Sequence, residues 1–266
     1  AGSAAVVMAN PSYDRPGARS EPAVGHDAAS SKAQRRSADL GSKQWEPLPA
    51  SELEGQQVAS VLSTGLISGA AATTTALQRQ QGPRILHVAT HGFFVADQEA
   101  KPWDPMRAIQ EGSPLLRSLR QEDPQLRSGL VLAGANQPDL DTNDDGYLTA
   151  AEAVNLKLKG TELVVLSACS TGQGDVRTGE GVYGLQRSLT VAGARSTLLS
   201  LWKVNDAATA EFMGRYYKRL KAGEGRSEAL AAVQQEFRQH PNAEWRRPYY
   251  WAAWQLVGDW RAIPGL

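Results

Sequence analysis

The chain has 266 residues, and its 28 lysines and arginines balance 28 aspartates and glutamates to a formal net charge of zero. This balance excludes the strongly basic surface of a typical nucleic-acid-binding protein. The single cysteine excludes an internal disulfide framework and favours a reducing compartment. No apolar run is long enough to span a membrane, and the first residues lack the pattern of a signal peptide. We therefore expect a cytoplasmic protein with no nucleic-acid and no membrane partner.

The hydrophobic pattern predicts strands that alternate with helices along most of the chain. In chain order, strands are predicted at 5–10, 84–92, 129–135, 163–169, 196–201 and 250–257. Helices are predicted at 51–62, 75–80, 180–191, 206–221 and 226–238, with Ser51 and Asp206 as N-caps. This alternation is typical of an α/β fold, a mostly parallel central sheet with helices on both faces.

Two polar segments interrupt this pattern without predicting a second domain. Residues 11–49 are rich in Ala, Ser, Pro and charge, and they favour a flexible loop. Residues 95–127 form a long, proline-punctuated excursion over one edge of the sheet. We expect a single domain over 1–266, and the initial alanine suggests a fragment or a processed form of a longer protein.

The cysteine lies where a buried strand is predicted to end. Residues 163–166 are apolar, and Ser170, Thr171 and Gly172 follow Cys169 directly. The earlier strand ends in the same way, at His91 and Gly92. Ligands of open α/β sheets bind at the carboxyl ends of the strands, and a nearby imidazole can convert a thiol to its thiolate. The two strand ends therefore predict a Cys169–His91 pair, with a tight turn and an available backbone N–H at Gly92.

An alternative interpretation is that Cys169 is a small buried hydrophobic residue and the histidines are core residues. We assign that structural role to His87, which no glycine follows. For Cys169 the surrounding sequence, residues 168–172, approximates the Gln-Ala-Cys-x-Gly pattern of caspases, whose histidine also lies upstream. The separation of His91 from Cys169 exceeds the roughly 50 residues found in caspases, so an insertion must lie between them.

Several further segments carry a more specific resemblance, to the CHAT domain, a caspase- and separase-related peptidase module of bacteria. In chain order they are HVATHGFF (87–94), SGLVLAGAN (128–136), LSACSTG (166–172), GEGVYGL (179–185), AGARS (192–196), SLWKVND (200–206) and PYYWAAW (248–254). Together they span most of the chain.

The resemblance implies a caspase-like fold and a cysteine endopeptidase with His91 and Cys169 as its catalytic dyad. It also implies a protein or peptide substrate and upstream domains, often helical repeats, in the full-length protein. Backbone N–H groups of Gly92 and Cys169 would stabilise the oxyanion. The alternative function is a calcium-responsive interaction or scaffold module whose dyad is inactive.

A second motif lies between the histidine and the cysteine. Residues 141–152 match the D-x-[DN]-x-[DN]-G-x5-E pattern of a calcium loop at every fixed position. Calcium prefers six to eight oxygen ligands, and Gly146 would provide the sharp turn that such a loop needs. The predicted ligands are Asp141, Asn143, Asp145, the Tyr147 carbonyl, Thr149 and a bidentate Glu152.

The same segment has a metal-free interpretation. Residues 149–152 also form the sequence of a capping box that begins a helix, and Asp and Asn are common in ordinary turns. The half of the motif from Gly146 onward belongs to the family resemblance, so only its acidic half is additional. Because a strand rather than a helix is predicted before Asp141, a paired EF-hand is not expected, and an isolated calcium site is.

Specificity is predicted from acidic residues near the nucleophile. Asp206 follows the strand after Cys169, and a partly desolvated carboxylate there would favour Arg or Lys at the P1 position of a substrate. Asp175 and Glu180, on the segment after Cys169, are alternative acids. Asp206 equally suits the N-cap of its helix.

Overall fold

The computed structural model describes residues 4–14, 37, 40, 43–95, 123–138, 144–170, 179–202 and 204–266, with the backbone only at 169, 170 and 179–182. The strands are β1 (Val6–Pro11), β2 (Leu66–Gly69), β3 (Ile85–Phe94), β4 (Ser128–Val131), β5 (Tyr147–Thr149), β6 (Leu163–Ser170), β7 (Ser196–Ser200) and β8 (Trp254–Gly258). The helices are α1 (Pro49–Leu62), α2 (Thr74–Gln78), α3 (Ala150–Ala153), α4 (Gly179–Val191), α5 (Asp206–Lys221), α6 (Arg226–Arg238) and α7 (Pro248–Trp251), with 3₁₀ turns at Pro124–Leu126 and Glu244–Arg246.

The strands form one sheet in the order β2-β1-β3-β6-β7-β8. The pairs from β2 to β7 are parallel, and β8 is antiparallel to β7. β3 and β6 lie at the centre and are apolar over most of their length, which is the pattern of strands buried on both faces. The predicted α/β fold with a mostly parallel sheet is therefore confirmed.

Helices cover both faces of this sheet, and each face has its own hydrophobic core. One core packs alternate residues of β3 and β6, such as Ile85 and Val165, against α1, α5 and α6. The other packs the intervening residues, such as Leu86 and Val164, against α2, α3 and α4. The side-chain alternation of a strand explains this division.

One part of the sheet differs from the expectation. β4 is antiparallel to the last residues of β3 and pairs on its other side with β5, so the two form an antiparallel extension of the sheet. β4 is shorter than the predicted strand 129–135 because the chain turns at Gly134, whose φ is +92°. β2 and β5 are too short and too mixed in polarity to have been predicted from periodicity.

The N-caps of α5 and α1 are not the residues that the sequence predicts. The N-cap of α5 is Asn205, whose side chain accepts hydrogen bonds from the backbone N–H groups of Ala207 and Ala208, so the expectation that Asp206 is the cap was wrong. Asp206 is the first residue of the helix, where its negative charge interacts favourably with the helix dipole. α1 begins at Pro49, which is suited to a first turn, and Ser51 donates to the Leu48 carbonyl instead of capping the helix.

A fully buried arginine joins the C-terminal segment to the central sheet. Arg226 donates to the Arg261 carbonyl at 2.7 Å and to the Glu162 carboxylate at 2.6 Å, just before β6. Beyond Arg261, Ile263 is 3% exposed and joins the first core. The residues after β8 are therefore integrated into the fold.

A buried polar cluster connects α1 to the two central strands. The Oε2 atom of Glu54 accepts a hydrogen bond from the Ser167 hydroxyl at 3.0 Å, and its Oε1 atom lies 3.2 Å from Nε2 of His87. The other ring nitrogen of His87 lies 3.1 Å from the Tyr217 hydroxyl on α5. His87 is completely buried, which confirms its assignment to the core. The cluster fixes α1 and α5 against β3 and β6.

We expect Glu54→Ala to lower the free energy of unfolding by about 3 kcal/mol, because it leaves the Ser167 hydroxyl without its acceptor and His87 without the adjacent carboxylate. Urea denaturation measures this change. The matched control is Gln56→Ala, an exposed position on the same helix, which should stay within about 0.5 kcal/mol of the parent. Equal stability of both variants would contradict a structural role for the cluster.

Candidate active site

The register of the central strands brings the two predicted dyad residues together. β3 and β6 are parallel neighbours, and His91 is the register partner of Cys169. Register partners in adjacent strands lie on the same face of a sheet, about 5 Å apart. Two residues earlier on each strand, Ala89 pairs with Ser167, so the dyad positions lie directly beyond the Glu54 cluster. The pair occupies the carboxyl end of the parallel strands, as the sequence predicts.

The tight turn predicted after His91 does not occur. β3 continues to Phe94, and Gly92 is paired with Leu130 of β4 on one side and with Ser170 of β6 on the other. Its φ is not among the positive values, and a Cβ atom there would be 3.4 Å from the Ala168 carbonyl oxygen. The return of the chain as β4 extends β3 past the site, so the glycine lies within a strand and not in a turn.

His91 is 5% exposed, and its ring is held in a defined orientation. Its Nε2 atom lies 2.8 Å from the backbone carbonyl of Glu46. A carbonyl oxygen can only accept a hydrogen bond, so Nε2 must be the protonated nitrogen in this arrangement. In the neutral ring, Nδ1 is then the basic nitrogen, and a general base at His91 would act through that atom.

Two aromatic rings flank His91. The ring centroid of Tyr13 lies 5.2 Å from that of His91, and the centroid of Trp45 lies 5.4 Å away. Both aromatic side chains are themselves buried. Together they restrict the rotation of the imidazole and exclude water from its faces.

A chain of hydrogen bonds fixes the backbone at His91. The Thr90 hydroxyl donates to the Val131 carbonyl and therefore accepts at 2.9 Å from the Tyr13 hydroxyl. The Tyr13 oxygen in turn accepts from the backbone N–H of His91 at 3.4 Å. Burial raises the pKa of Tyr13 to about 12, despite these hydrogen bonds, which lower it. Tyr13 therefore remains a protonated donor near neutral pH.

Sequence reasoning missed the residues around His91 that lie in the supposed flexible loop. Residues 15–36 of that loop lie outside the described residues, but Tyr13 and the segment 43–48, here named the Trp45 segment, pack on the site. The signal that could have found them is compositional. A tryptophan and a tyrosine in an otherwise Ala-, Ser- and Pro-rich stretch favour burial.

Of the three acids predicted to set specificity, only Asp206 is described with its side chain. Asp206 is half-buried at the start of α5, beyond the end of β7. Asp175 lies outside the described residues, and Glu180 is described only by its backbone, at the start of α4. The predicted excursion over the sheet edge also falls largely outside them, at 96–122.

The predicted calcium loop is described in part. Asp141 and Asn143 lie outside the described residues, and Asp145 accepts a hydrogen bond from the backbone N–H of Tyr147. Gly146 has a φ of +78°, and a Cβ atom there would come within 2.4 Å of the Ala135 backbone nitrogen. The sharp turn that the pattern requires at Gly146 is thus present.

The far end of the motif adopts the capping box. Thr149 and Glu152 cap the first turn of α3 reciprocally, and one carboxylate oxygen of Glu152 accepts from both the backbone N–H and the hydroxyl of Thr149. Among the described residues, no group of three His, Cys, Asp or Glu side chains is placed to hold a metal ion. Bidentate coordination by Glu152 would therefore require the capping box to open.

Comparison with known proteins assigns the family. The model of the CHAT domain matches residues 1–259. The chain belongs to the CHAT-domain family. It is also similar to tetratricopeptide repeat protein 28 of Homo sapiens, at 27% identity, and to that of Mus musculus, at 28%. Each match extends over 227 residues, which is 81% of this chain and 9% of the relative.

These matches bear on the expected source and activity of the chain. The chain spans about a tenth of the length of the curated relatives it matches, at 9%. Both relatives are mammalian, so they do not support the expected bacterial origin, and their names do not state a peptidase activity.

Among the helices of the described residues, none has the length and apolar character needed to cross a membrane.

Proposed function

We propose that this CHAT domain is a cysteine endopeptidase with Cys169 as nucleophile and His91 as general acid and base. The observation that carries the proposal is the register pairing of these two residues at the carboxyl end of β3 and β6. The protonated Nε2 of His91, held on the Glu46 carbonyl, supports it because Nδ1 is then the nitrogen that exchanges a proton with the thiol.

The first half of the reaction forms an acyl-enzyme. The Cys169 thiol transfers its proton to His91, and the thiolate attacks the carbonyl carbon of the scissile peptide bond. The tetrahedral intermediate collapses as His91 donates its proton to the leaving amine. The thioester remains on Cys169 and the amine product departs.

The second half restores the enzyme. His91 takes a proton from water, whose oxygen attacks the thioester, and it returns that proton to the sulfur as the carboxylic acid leaves. We propose the backbone N–H groups of Cys169 and Gly92 as the oxyanion donors, each of which would contribute about 3 kcal/mol of transition-state stabilisation. Because Gly92 lies between β4 and β6, its N–H would have to turn from these strands toward the substrate.

The substrate class follows from the chemistry, and the partner from the relatives. We propose protein or peptide substrates and a cytoplasmic location. The relatives' names describe tetratricopeptide repeat proteins, and we propose that such repeats precede this domain in the full-length protein and present the substrate or control access to it.

Cys169→Ala and His91→Ala should each reduce peptide-bond cleavage by at least about a thousandfold, since each removes a group on which both half-reactions depend. Cleavage of a protein or peptide library, followed by mass spectrometry, measures this loss. Because the chain has one cysteine, an electrophilic peptide probe should label the parent and not Cys169→Ala.

His240→Gln is the matched control for the histidine, because His240 lies near α6 and bonds Glu211. It should retain turnover, and all three variants should keep the circular dichroism spectrum of the parent. Full turnover by a homogeneous Cys169→Ala preparation would refute the peptidase assignment.

We propose as the second candidate a calcium-responsive role for residues 141–152, in addition to catalysis or, with an inactive dyad, in place of it. The turn at Gly146 favours it, and the capping box at Glu152 opposes it. The segment leads into β5, which pairs with β4 beside the histidine strand. Calcium bound to this segment would therefore affect the geometry around His91.

We expect calcium to bind the parent and to raise its rate of peptide cleavage. Glu152→Gln should lose binding, because an amide still serves the capping box but cannot supply a carboxylate ligand. Isothermal titration calorimetry at millimolar calcium tests binding, and rates in calcium and in chelator test activation. No heat above background in the parent would leave the segment as a capping box alone.

We further propose a preference for Arg or Lys at P1, set by Asp206, Asp175 or Glu180. A positional-scanning peptide library should show this preference in the parent, and neutralising the responsible acid should reduce it about tenfold. The variants to compare are Asp206→Asn, Asp175→Asn and Glu180→Gln. A parent that prefers apolar or acidic P1 residues would contradict the idea.

A further inference from the structure

The Trp45 segment packs against His91 and also supplies a hydrogen-bond acceptor to its ring. Trp45 is 3% exposed, its ring flanks His91, and the next residue supplies the carbonyl that accepts from Nε2 of His91. The position of that carbonyl therefore depends on how firmly Trp45 is held.

Two side chains hold Trp45, and both lie on the chain between the histidine and the cysteine strands. The indole Nε1–H donates to the Tyr147 hydroxyl at 2.9 Å. The backbone of Trp45 is held at both ends of the residue by Asn136, whose Oδ1 accepts from the N–H at 2.7 Å and whose Nδ2 donates to the carbonyl at 3.1 Å. The Glu46 carbonyl is the next acceptor along this backbone.

The anchors are themselves rigid. Tyr147 is 1% exposed and lies in β5, where its ring meets those of Trp45 and Phe93 edge to face at 6.5 and 5.7 Å. Asn136 also donates to the Asp14 carboxylate at 2.7 Å. A buried indole and a buried phenol that bond each other permit few alternative rotamers, so the Glu46 carbonyl is fixed relative to β3.

We propose that Trp45, anchored by Tyr147 and Asn136, is a positioning residue for His91. It holds the Glu46 carbonyl on Nε2 and so selects the tautomer in which Nδ1 is the basic nitrogen. The proposal rests on the proposed dyad, because Nδ1 is useful only if it exchanges a proton with Cys169. Loss of the Trp45–Tyr147 bond would lower the fraction of His91 in that tautomer and orientation.

The test uses the single cysteine of the chain and needs no substrate. The rate of Cys169 alkylation by iodoacetamide is measured by mass spectrometry from pH 5 to pH 10. In the parent, the inflection should lie well below the thiol pKa of about 8.5, because a protonated His91 stabilises the thiolate. His91→Ala should move the inflection up to the ordinary thiol range.

Tyr147→Phe and Trp45→Phe remove the same hydrogen bond from its two ends. Tyr147→Phe keeps the ring in place, and Trp45→Phe replaces the indole with a smaller aromatic ring. Each should lower the alkylation rate at pH 6 by a factor of about five, equivalent to about 1 kcal/mol, which is the net value of one hydrogen bond. The double variant should equal either single variant, because the bond can be lost only once.

Trp254→Phe is the matched control. Trp254 is equally buried, at 5% exposed, and stacks on Phe212 in the core below α5, on the opposite side of β7 from the dyad strands. It should lower the melting temperature without moving the alkylation profile. Profiles of Tyr147→Phe and Trp45→Phe that coincide with the parent would overturn the positioning role while leaving the dyad intact. A parent profile that His91→Ala does not change would overturn the dyad, and the positioning role with it.

Discussion

The parallel register between β3 and β6 is the constraint on which the rest of the structure depends. Residue 85 pairs with residue 163, and the pairing continues without a shift to residues 92 and 170. A slip of one residue would exchange the two faces of a strand, moving His91 and its partners from one hydrophobic core to the other. Most side chains of both strands are buried and packed in one core or the other, which makes such a slip costly. The packing that stabilises the fold therefore also aligns the site.

The polar residues of one sheet face are arranged in layers along these strands. The deepest layer is His87 with Glu54 and Tyr217, the next is Ser167, and the last is the dyad at the strand ends. α1 and α5 together hold His87, α1 also holds Ser167, and the Trp45 segment contacts His91. His91 is thus the last of several polar residues that neighbouring elements hold along one face of β3 and β6, and not an isolated side chain.

The local signals in the sequence were sufficient for the central elements. The apolar runs of β3 and β6 and the helical periodicity of α5 and α6 predict those elements, and the residues that follow each strand predict the dyad. The N-cap of α5 was missed by one residue, because Asn205 and Asp206 are both good caps and only the backbone geometry distinguishes them.

The surroundings of His91 could not be predicted because they arise from contacts distant in sequence. The expected turn at Gly92 depends on whether another strand extends β3, and β4 does so from a segment more than thirty residues later. The Glu46 carbonyl has no side-chain signature at all. Trp45 gains its role only from Tyr147 and Asn136, which join it across about a hundred and about ninety residues. Composition assigns such a segment to a loop, and packing makes it part of the site.

The buried guanidinium of Arg226 has a consequence for where this folding unit ends. The family match stops at residue 259, but the carbonyl of Arg261 accepts one of the hydrogen bonds of Arg226, at 2.7 Å. Beyond it, Ile263 fills the core and the Gly265 carbonyl accepts from Arg84 just before β3. A fragment cut at the boundary of the family match would leave a charged group in the interior without one of its acceptors and open a void beside the sheet. The stabilising contacts of the domain therefore extend past the end of the family match, and expression fragments should retain the final seven residues.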